Sequence, residues 1–155
     1  MNTLQVRNEA VINAPVEKIW RLITDISMLH KVNPGIVKAS GRMDAQGETR
    51  TCEVNNNGRK GMMVENLIEM VPEKKTVWSI ERDTMGMSKM LADTRFIFNL
   101  EKVSDTKTKV VNETYYRPRN FLARIMNGLM MKRMISRAQT QILSNIRILT
   151  EDKLP

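Results

Sequence analysis

The C-terminal stretch, residues 120–150, constrains the fold of this 155-residue chain more than any other segment. Apolar side chains recur there every three or four residues, at Met131, Ile135, Ala138, Ile142, Ile146 and Leu149. This period predicts one apolar stripe along an α-helix. A shorter stripe precedes it (Leu122, Ile125, Met126 and Leu129), rotated by more than about a third of a turn at roughly 100° per residue. The change of phase predicts a bend or an interruption near Gly128.

A helix of this length, on the order of 45 Å, needs a large apolar surface to pack on, and the rest of the chain must supply it. Leu4–Ile12 alternates apolar and polar residues, as a half-buried strand does. Pro15 then suits the start of a helix whose apolar face carries Val16, Ile19, Trp20, Ile23 and Ile26. A short helix or turn over Met28–Val32 follows, and Asn33-Pro34-Gly35 ends it.

The middle of the chain has the turn signals of consecutive hairpins. Asn57-Gly58 is the strongest of them, because this dipeptide favours the two-residue turns that match the strand twist. Together the turns predict six strands: Ile36–Asp44, Glu48–Val54, Arg59–Met70, Thr76–Asp83, Leu91–Val103 and Thr108–Arg117. The predicted order is strand, helix, helix, six strands and a long helix, in one domain spanning residues 1–155.

Charge and cysteine content narrow the function classes. The formal net charge is +8, and residues 117–150 carry seven Lys and Arg with no acid. These cations predict a solvated helix face, or a surface for an anionic membrane or an acidic protein partner. We do not expect nucleic acid binding, because no aromatic platform accompanies the charge. The single cysteine, Cys52, excludes an internal disulfide, and no apolar run resembles a signal peptide or membrane span, so we expect a cytoplasmic location.

Three segments carry a resemblance to a known superfamily: residues 12–25 (INAPVEKIWRLITD), Asn33-Pro34-Gly35 and Tyr116-Arg117-Pro118. The chain resembles the START-like (SRPBCC) superfamily with its Bet v 1-like helix-grip fold, and is most similar to the polyketide cyclase/dehydrase-like family. The resemblance implies an α+β protein whose seven-stranded, curved antiparallel sheet (β-α-α-β6-α) grips the C-terminal helix. It also implies a cavity between sheet and helix that commonly holds an apolar ligand. Some members of the superfamily are enzymes acting on polyketides, and others bind lipids, quinones or hormones.

The last hairpin allows a prediction of which side chains face the helix. A loop centred on Asp105 and Thr106 pairs Phe98 with Glu113 and Phe96 with Tyr115. The inner face then carries Phe96, Phe98, Leu100, Val111, Glu113 and Tyr115. Glu113 is the one carboxylate on that face, and burial would raise its pKa unless Arg82 or Arg95 lies close. It is a candidate general acid or base with Tyr115 beside it, or else a structural ion-pair member with no chemical role.

Methionine is the other unusual feature, with 13 residues against three Phe. Unbranched, polarizable side chains fill irregular space, so they suit either the wall of a cavity or an ordinary core. The lone His30 has no second His or Cys nearby, and we expect it to be exposed and to hold no metal.

We therefore predict a protein that binds a hydrophobic small molecule (lipid, polyketide or isoprenoid-like) as carrier or sensor. The predicted ligand-binding residues are Trp78, Met85, Met87, Met90, Phe96, Phe98, Val111, Glu113, Tyr115, Leu122, Met126 and Met130. One alternative is a polyketide cyclase or dehydratase with Glu113 as base and Tyr115 or an arginine polarising a carbonyl. Another is a partner- or membrane-binding module that acts through the basic helix. No cofactor is implied, and both a monomer and a homodimer agree with the sequence.

Overall fold

The computed structural model describes residues 3–151. Seven strands form one sheet: β1 (Thr3–Ile12), β2 (Ile36–Gly41), β3 (Thr49–Asn56), β4 (Arg59–Val71), β5 (Lys75–Asp83), β6 (Leu91–Ser104) and β7 (Lys107–Pro118). The helices are α1 (Val16–Ile23), α2 (Leu29–Val32), α3 (Met87–Met90), α4 (Phe121–Met126) and α5 (Lys132–Thr150). A 3₁₀ turn (Ile26–Met28) precedes α2, and a π-helical segment (Asn127–Met131) joins α4 to α5. Each predicted strand and helix is present, with small shifts of its ends.

The sheet is antiparallel throughout, in the order β1-β7-β6-β5-β4-β3-β2. Tight hairpins explain most of this order, because each pairs a strand with its neighbour in sequence. Asn57 and Gly58 occupy the β3–β4 turn with φ of 53° and 88°, which are the positive values that a two-residue hairpin turn requires. The curved sheet wraps the long C-terminal helix, so the predicted helix-grip fold is confirmed.

The main core lies where α5 crosses the sheet beside β1 and β7 and packs against α1 and α2. Ile12, Ile19, Val110 and Ile146 have no exposed surface there. The core is therefore concentrated under the second half of the long helix. The first half, α4 with the π-helical segment, packs chiefly against the end of β7.

The predicted change of phase at Gly128 is the π-helical segment. A π turn contains one more residue than an α turn, so it rotates the two apolar stripes relative to one another without breaking the helix. The buried side of α5 carries Gln139, Ile142, Leu143, Ile146 and Thr150. Placing Ala138 and Leu149 in the stripe was wrong, since both are exposed.

The predicted register of the β6–β7 hairpin is also wrong, although its turn is where we expected it. Ser104 pairs with Lys107 across the Asp105-Thr106 turn, but a β-bulge between Lys102 and Ser104 adds one residue to β6. Phe98 consequently pairs with Asn112, and Phe96 with Thr114. This slip of one residue moves every side chain of β7 to the face of the sheet opposite to the predicted one.

Candidate functional site

The concave inner face of the sheet carries the candidate site. Strand pairing places one set of alternating residues on this face: Arg50, Cys52, Gly61, Met63, Glu65, Leu67, Trp78, Ile80, Phe96, Phe98, Asn112 and Thr114. Two hydrogen bonds to the helix identify the face. Gln139 Nε2 donates to Thr114 Oγ1 at 2.9 Å, and Asn8 Nδ2 donates to Gln139 Oε1 at 2.9 Å.

A buried ion pair lies on the β3–β4 part of this face. Arg50 Nε donates to Glu65 Oε2 at 2.6 Å, and the two side chains keep only 9% and 5% of their exposure. The Arg50 guanidinium also lies over the Trp78 ring, with Cζ 3.8 Å from the centroid. Cation–π contact and a charge-assisted hydrogen bond together hold the guanidinium in one orientation.

Both members of the pair keep hydrogen-bonding capacity. Within the described residues, Arg50 Nη2 and Glu65 Oε1 make no hydrogen bond. Every fully buried side-chain nitrogen or oxygen of residues 3–151 has a hydrogen-bond partner. Since these two atoms have none, each must keep some surface that solvent or a guest can reach. Arg50 can therefore donate to a carbonyl or carboxylate oxygen of a guest, and Glu65 can accept from a hydroxyl.

Cys52 completes this cluster and is not a nucleophile. Its Sγ lies 3.8 Å from Glu65 Oε2, and the side chain is 1% exposed. Burial first, and then the negative charge of Glu65, raise the pKa of the thiol to about 12, and Arg50 only partly offsets these effects. Since the thiolate is the reactive form, this thiol stays protonated and unreactive at neutral pH.

Aromatic side chains continue the inner face beside the ion pair. Trp78 packs with Met43 and Leu67 in a buried cluster that Phe96 and Met70 flank. Ile80, Phe96 and Phe98 point inward, yet they are only partly buried. Solvent therefore reaches part of each of these side chains on the inner face.

The segment between β5 and β6 covers one end of this face. Asp83 organises it, since its carboxylate accepts hydrogen bonds from the backbone N–H groups of Met85, Met87 and Ser88 at 2.8–2.9 Å. Burial works to raise the pKa of Asp83, but the bonds from Ser88 and the backbone outweigh it and lower the pKa. The Met85 side chain lies against Gly61, where any Cβ would collide with it. Met85 thus reaches the inner face, while Met87 and Met90 are half-buried.

Three of the predicted ligand-binding residues lie on the wrong side of the sheet: Val111, Glu113 and Tyr115. The bulge in β6 turns them to the outer face, away from the helix. Glu113 lies 3.4 Å from Arg7 and accepts a hydrogen bond of 3.1 Å from Tyr115 Oη. Burial first, and then the Glu113 carboxylate, raise the pKa of Tyr115. The alternative reading of Glu113 as a structural ion-pair member agrees with this geometry, with Arg7 as its partner and not Arg82 or Arg95.

The three helix residues that we predicted to bind the ligand differ in how far they are exposed to solvent. Leu122 and Met130 are 67% and 58% exposed, so neither belongs to an enclosed wall. Met126 between them is half-buried. The polar anchor of this half of the helix is Asn127, whose Oδ1 accepts a hydrogen bond from the buried Tyr116 hydroxyl.

Sequence reasoning missed Arg50 and Glu65, although a signal was present. A two-residue Asn57-Gly58 turn pairs Asn56 with Arg59, and counting back along both strands pairs Arg50 with Glu65. Opposite charges directly across a hairpin attract one another. Extending the register from this turn would have found the pair.

His30 is exposed, as predicted. Within the described residues, no three His, Cys, Asp or Glu side chains converge as metal ligands would. None of the helices between residues 3 and 151 is both long enough and apolar enough to cross a bilayer.

The comparisons with known proteins agree on one architecture. A family profile described as polyketide cyclase/dehydrase and lipid transport matches residues 3–151. No curated protein sequence matches the chain. Among solved structures, the Zhui aromatase/cyclase from Streptomyces sp. R1128 is 13% identical, with a TM-score of 0.75 over 95% of this chain and 92% of that one.

Two further solved structures, of proteins that are not described as cyclases, are also similar to this chain. The major latex-like protein 151 of Panax ginseng is 10% identical, with a TM-score of 0.74 over 94% and 96% of the two chains. A START superfamily protein from Mycobacterium smegmatis is 11% identical, with a TM-score of 0.68 over 93% and 97%. At these identities the likeness demonstrates a shared fold.

Proposed function

Because the chain belongs to the polyketide cyclase/dehydrase and lipid transport family, we propose that it binds an oxygen-bearing apolar small molecule between its sheet and its C-terminal helix. The guest is a lipid, a polyketide or an isoprenoid-like compound, and the protein is its carrier or sensor. The buried Arg50–Glu65 pair beside the partly exposed aromatic side chains of the inner face is the observation that carries this proposal.

The two halves of the proposed site have different tasks. Trp78, Phe96 and Phe98 supply apolar contact, with Met85 and Met126 at the ends of the space. Arg50 Nη2 donates to an oxygen of the guest, and Glu65 Oε1 accepts from a hydroxyl where the guest has one. A charged pair held in advance costs little reorganisation on binding, so it favours guests whose polar group reaches it.

Two matched fluorescent probes test this proposal. 1-Anilinonaphthalene-8-sulfonate carries an anionic group, whereas N-phenyl-1-naphthylamine has the same aromatic body without it. The titration uses a Trp20→Phe variant, so that Trp78 is the only tryptophan left and energy transfer reports binding at the proposed site. We expect both probes to quench Trp78.

The double variant Arg50→Met/Glu65→Leu separates the polar contribution from the apolar one. A hydrogen bond to a charged group contributes about 1.5–3 kcal/mol, so the sulfonate probe should bind roughly ten- to a hundredfold more weakly. The uncharged probe should bind as before. Glu113→Gln is the matched control, since it removes a carboxylate from the outer face and should change neither titration. The proposal would be contradicted if the control and the double variant lost the same affinity for the sulfonate probe, or if neither probe quenched Trp78.

The natural guest can be sought directly by native mass spectrometry of protein purified from its own cells. A discrete adduct that organic solvent extracts would identify the chemical class. The Arg50→Met/Glu65→Leu variant should carry less of it. An adduct of equal abundance on both proteins would place the guest elsewhere.

One observation favours an enzyme as the second candidate. Among residues 3–151, one carboxylate oxygen of Glu65 has no hydrogen-bond partner, and a guanidinium lies beside it, so a base and a group that polarises a carbonyl lie together. A cyclase or dehydratase acting on a poly-β-keto thioester would lose turnover in Glu65→Gln while keeping its affinity. A carrier would convert no such substrate, which mass spectrometry of the products would reveal.

A further inference from the structure

The first half of the long helix exposes an apolar surface that the fold leaves uncovered. We define the apolar ridge as Phe121, Leu122, Ile125, Leu129 and Met130. Their side chains are 75%, 67%, 42%, 66% and 58% exposed, respectively. Single exposed apolar residues are ordinary, but five within ten residues of one helix form a contiguous patch, and such patches mark interaction sites.

Unpaired cations surround and extend the ridge. Arg124, Lys132, Arg133 and Arg137 are exposed, and none of them forms an ion pair with an acid of the part of the chain that the structure describes. Arg133 and Arg137 continue the spacing of four that begins at Phe121, Ile125 and Leu129, so the outer side of the helix runs from apolar to basic. No acid lies between residues 117 and 150 to neutralise this charge.

This combination points to an anionic lipid surface. The ridge is a narrow, convex line on one helix, whereas a stable protein interface needs a broad complementary patch of about 800 Å² on each partner. A bilayer surface adapts to a convex ridge, takes apolar side chains at the acyl boundary, and attracts Lys and Arg through its headgroup phosphates. Arg133 and Arg137 also line a shallow depression along α5 with Ser136 and Thr140, which leaves room for headgroup oxygens.

The position of the ridge fits the rest of the molecule. Arg119, just before α4, donates through Nε to the Ser88 carbonyl at 2.9 Å, and its backbone N–H donates to the Met90 carbonyl at 2.9 Å. The ridge therefore adjoins the Met-rich segment that covers one end of the inner face. At the same end, Asn56 at the tip of the β3–β4 hairpin contacts the sulfur of Met134.

We propose that the apolar ridge and the cations after it dock the protein on anionic bilayers, with the helix from Phe121 to Arg137 lying along the surface. The proposal does not depend on a guest in the interior. It is measured without one, and the Arg50→Met/Glu65→Leu variant should dock like the unmodified protein.

The test is co-sedimentation with vesicles of phosphatidylcholine containing 30% phosphatidylserine, against vesicles of phosphatidylcholine alone. Arg133→Gln/Arg137→Gln should bind the anionic vesicles about 25-fold more weakly, from roughly a fivefold contribution per cation. Phe121→Ser/Leu129→Ser should bind them about tenfold more weakly or worse. Binding of the unmodified protein should fall as salt rises toward 0.5 M.

Matched controls lie at other exposed positions. Val37→Ser/Val103→Ser removes two exposed apolar side chains outside the ridge, and Lys74→Gln/Lys107→Gln removes two exposed cations at the opposite end of the sheet. Both should bind like the unmodified protein. Binding that is equal on neutral and anionic vesicles, or that the controls weaken as much as the ridge variants do, would overturn the proposal.

Two other occupants of the ridge give different results. A second copy of the chain would appear in sedimentation equilibrium as a dimer that Phe121→Ser/Leu129→Ser converts to a monomer, without vesicle binding. An acidic protein partner would appear as binding to polyglutamate-coated beads that matches the vesicles in affinity and that the Ser variants leave unchanged. Either result would overturn membrane docking.

Discussion

At the scale of single residues, the Arg50–Glu65 pair places two opposite charges in the buried part of the inner face. Removing two charges from water costs several kcal/mol, and only good geometry offsets that cost. Here the 2.6 Å hydrogen bond and the Trp78 ring supply the geometry. A buried pair of this kind seldom adds stability over apolar residues, so its place on the inner face supports a recognition role.

The pair predicts a clear pattern of stability changes. Glu65→Ala leaves Arg50 buried without a counter-charge and should lower the free energy of unfolding by about 3–5 kcal/mol. Arg50→Met/Glu65→Leu should lie within about 1–2 kcal/mol of the unmodified protein, because no charge remains buried. Urea denaturation measures both. A double variant less stable than Glu65→Ala would contradict this account.

The buried thiol predicts a loss of stability in alkali. The pKa of Cys52 is raised from 9.0 to about 12 in the folded protein, so above pH 9 the unfolded chain releases its proton while the folded one keeps it. The contribution of the thiol is therefore complete below pH 9 and is lost as pH rises from 9 toward 12.

Urea titrations between pH 8 and 11 should show a steeper decline in the unmodified protein than in Cys52→Ala. The difference between the two isolates the thiol from Tyr116, whose pKa burial also raises to about 12. Parallel curves would show that Cys52 does not titrate as we expect. Alkylation of the folded protein by iodoacetamide should also remain slow up to pH 9.

At the scale of elements, the π-helical segment decides which side chains the first half of the helix exposes. Asn127, its first residue, is fastened to the sheet by Tyr116, while its Nδ2 donates to Gln5 Oε1 at 3.2 Å. An added residue in the helix turns the ridge outward and keeps Ala123 and Asn127 against β7. One buried polar contact therefore orients the proposed docking surface.

A double-mutant cycle tests this contact. Asn127→Ala leaves the Tyr116 hydroxyl buried without a partner and should cost about 1–3 kcal/mol of unfolding free energy. Combining Asn127→Ala with Tyr116→Phe removes both partners, so the combined cost should be smaller than the sum of the two single costs. Additive costs in urea denaturation would show that the two side chains do not act as a pair.

At the scale of the whole molecule, stability is distributed unevenly along the long helix. The second half crosses a core of fully buried residues, whereas the first half rests on the end of β7 and exposes its apolar side chains. Local opening costs least where few apolar groups are buried. We therefore expect the first half of the helix to open more readily than the second half.

Hydrogen exchange measures this distribution. Amides of residues 123–131 should exchange faster than those of residues 139–146 by a factor of 10 or more, about 1.4 kcal/mol in opening free energy. Exchange monitored by mass spectrometry resolves the two segments as separate peptides. Equal protection of both halves would mean that the helix opens only as a unit.

The sequence by itself determined the architecture. Apolar periodicity of three to four residues, alternation of two and strong turn dipeptides depend on neighbours along the chain. They predicted every strand, the helices α1 and α2, and the long helix with its interruption near Gly128, but not the one-turn helix α3. The resemblance to the superfamily then indicated that the curved sheet wraps around the C-terminal helix. Phe96 and Phe98 were correctly predicted to face inward, because the part of β6 that carries them alternates regularly between its two bulges.

Only the tertiary structure decided which polar groups enter the interior. A single bulge near Val103 exchanges Glu113 for Asn112 on the inner face. The extra residue leaves the turn and the alternation on either side of it intact, so the local sequence does not predict it. The Arg50–Glu65 pair was readable from the Asn57-Gly58 turn, but its burial required Trp78 from another hairpin. Interactions between neighbours along the chain determine the strands and helices, whereas packing between distant strands determines which polar side chains lie in the candidate site.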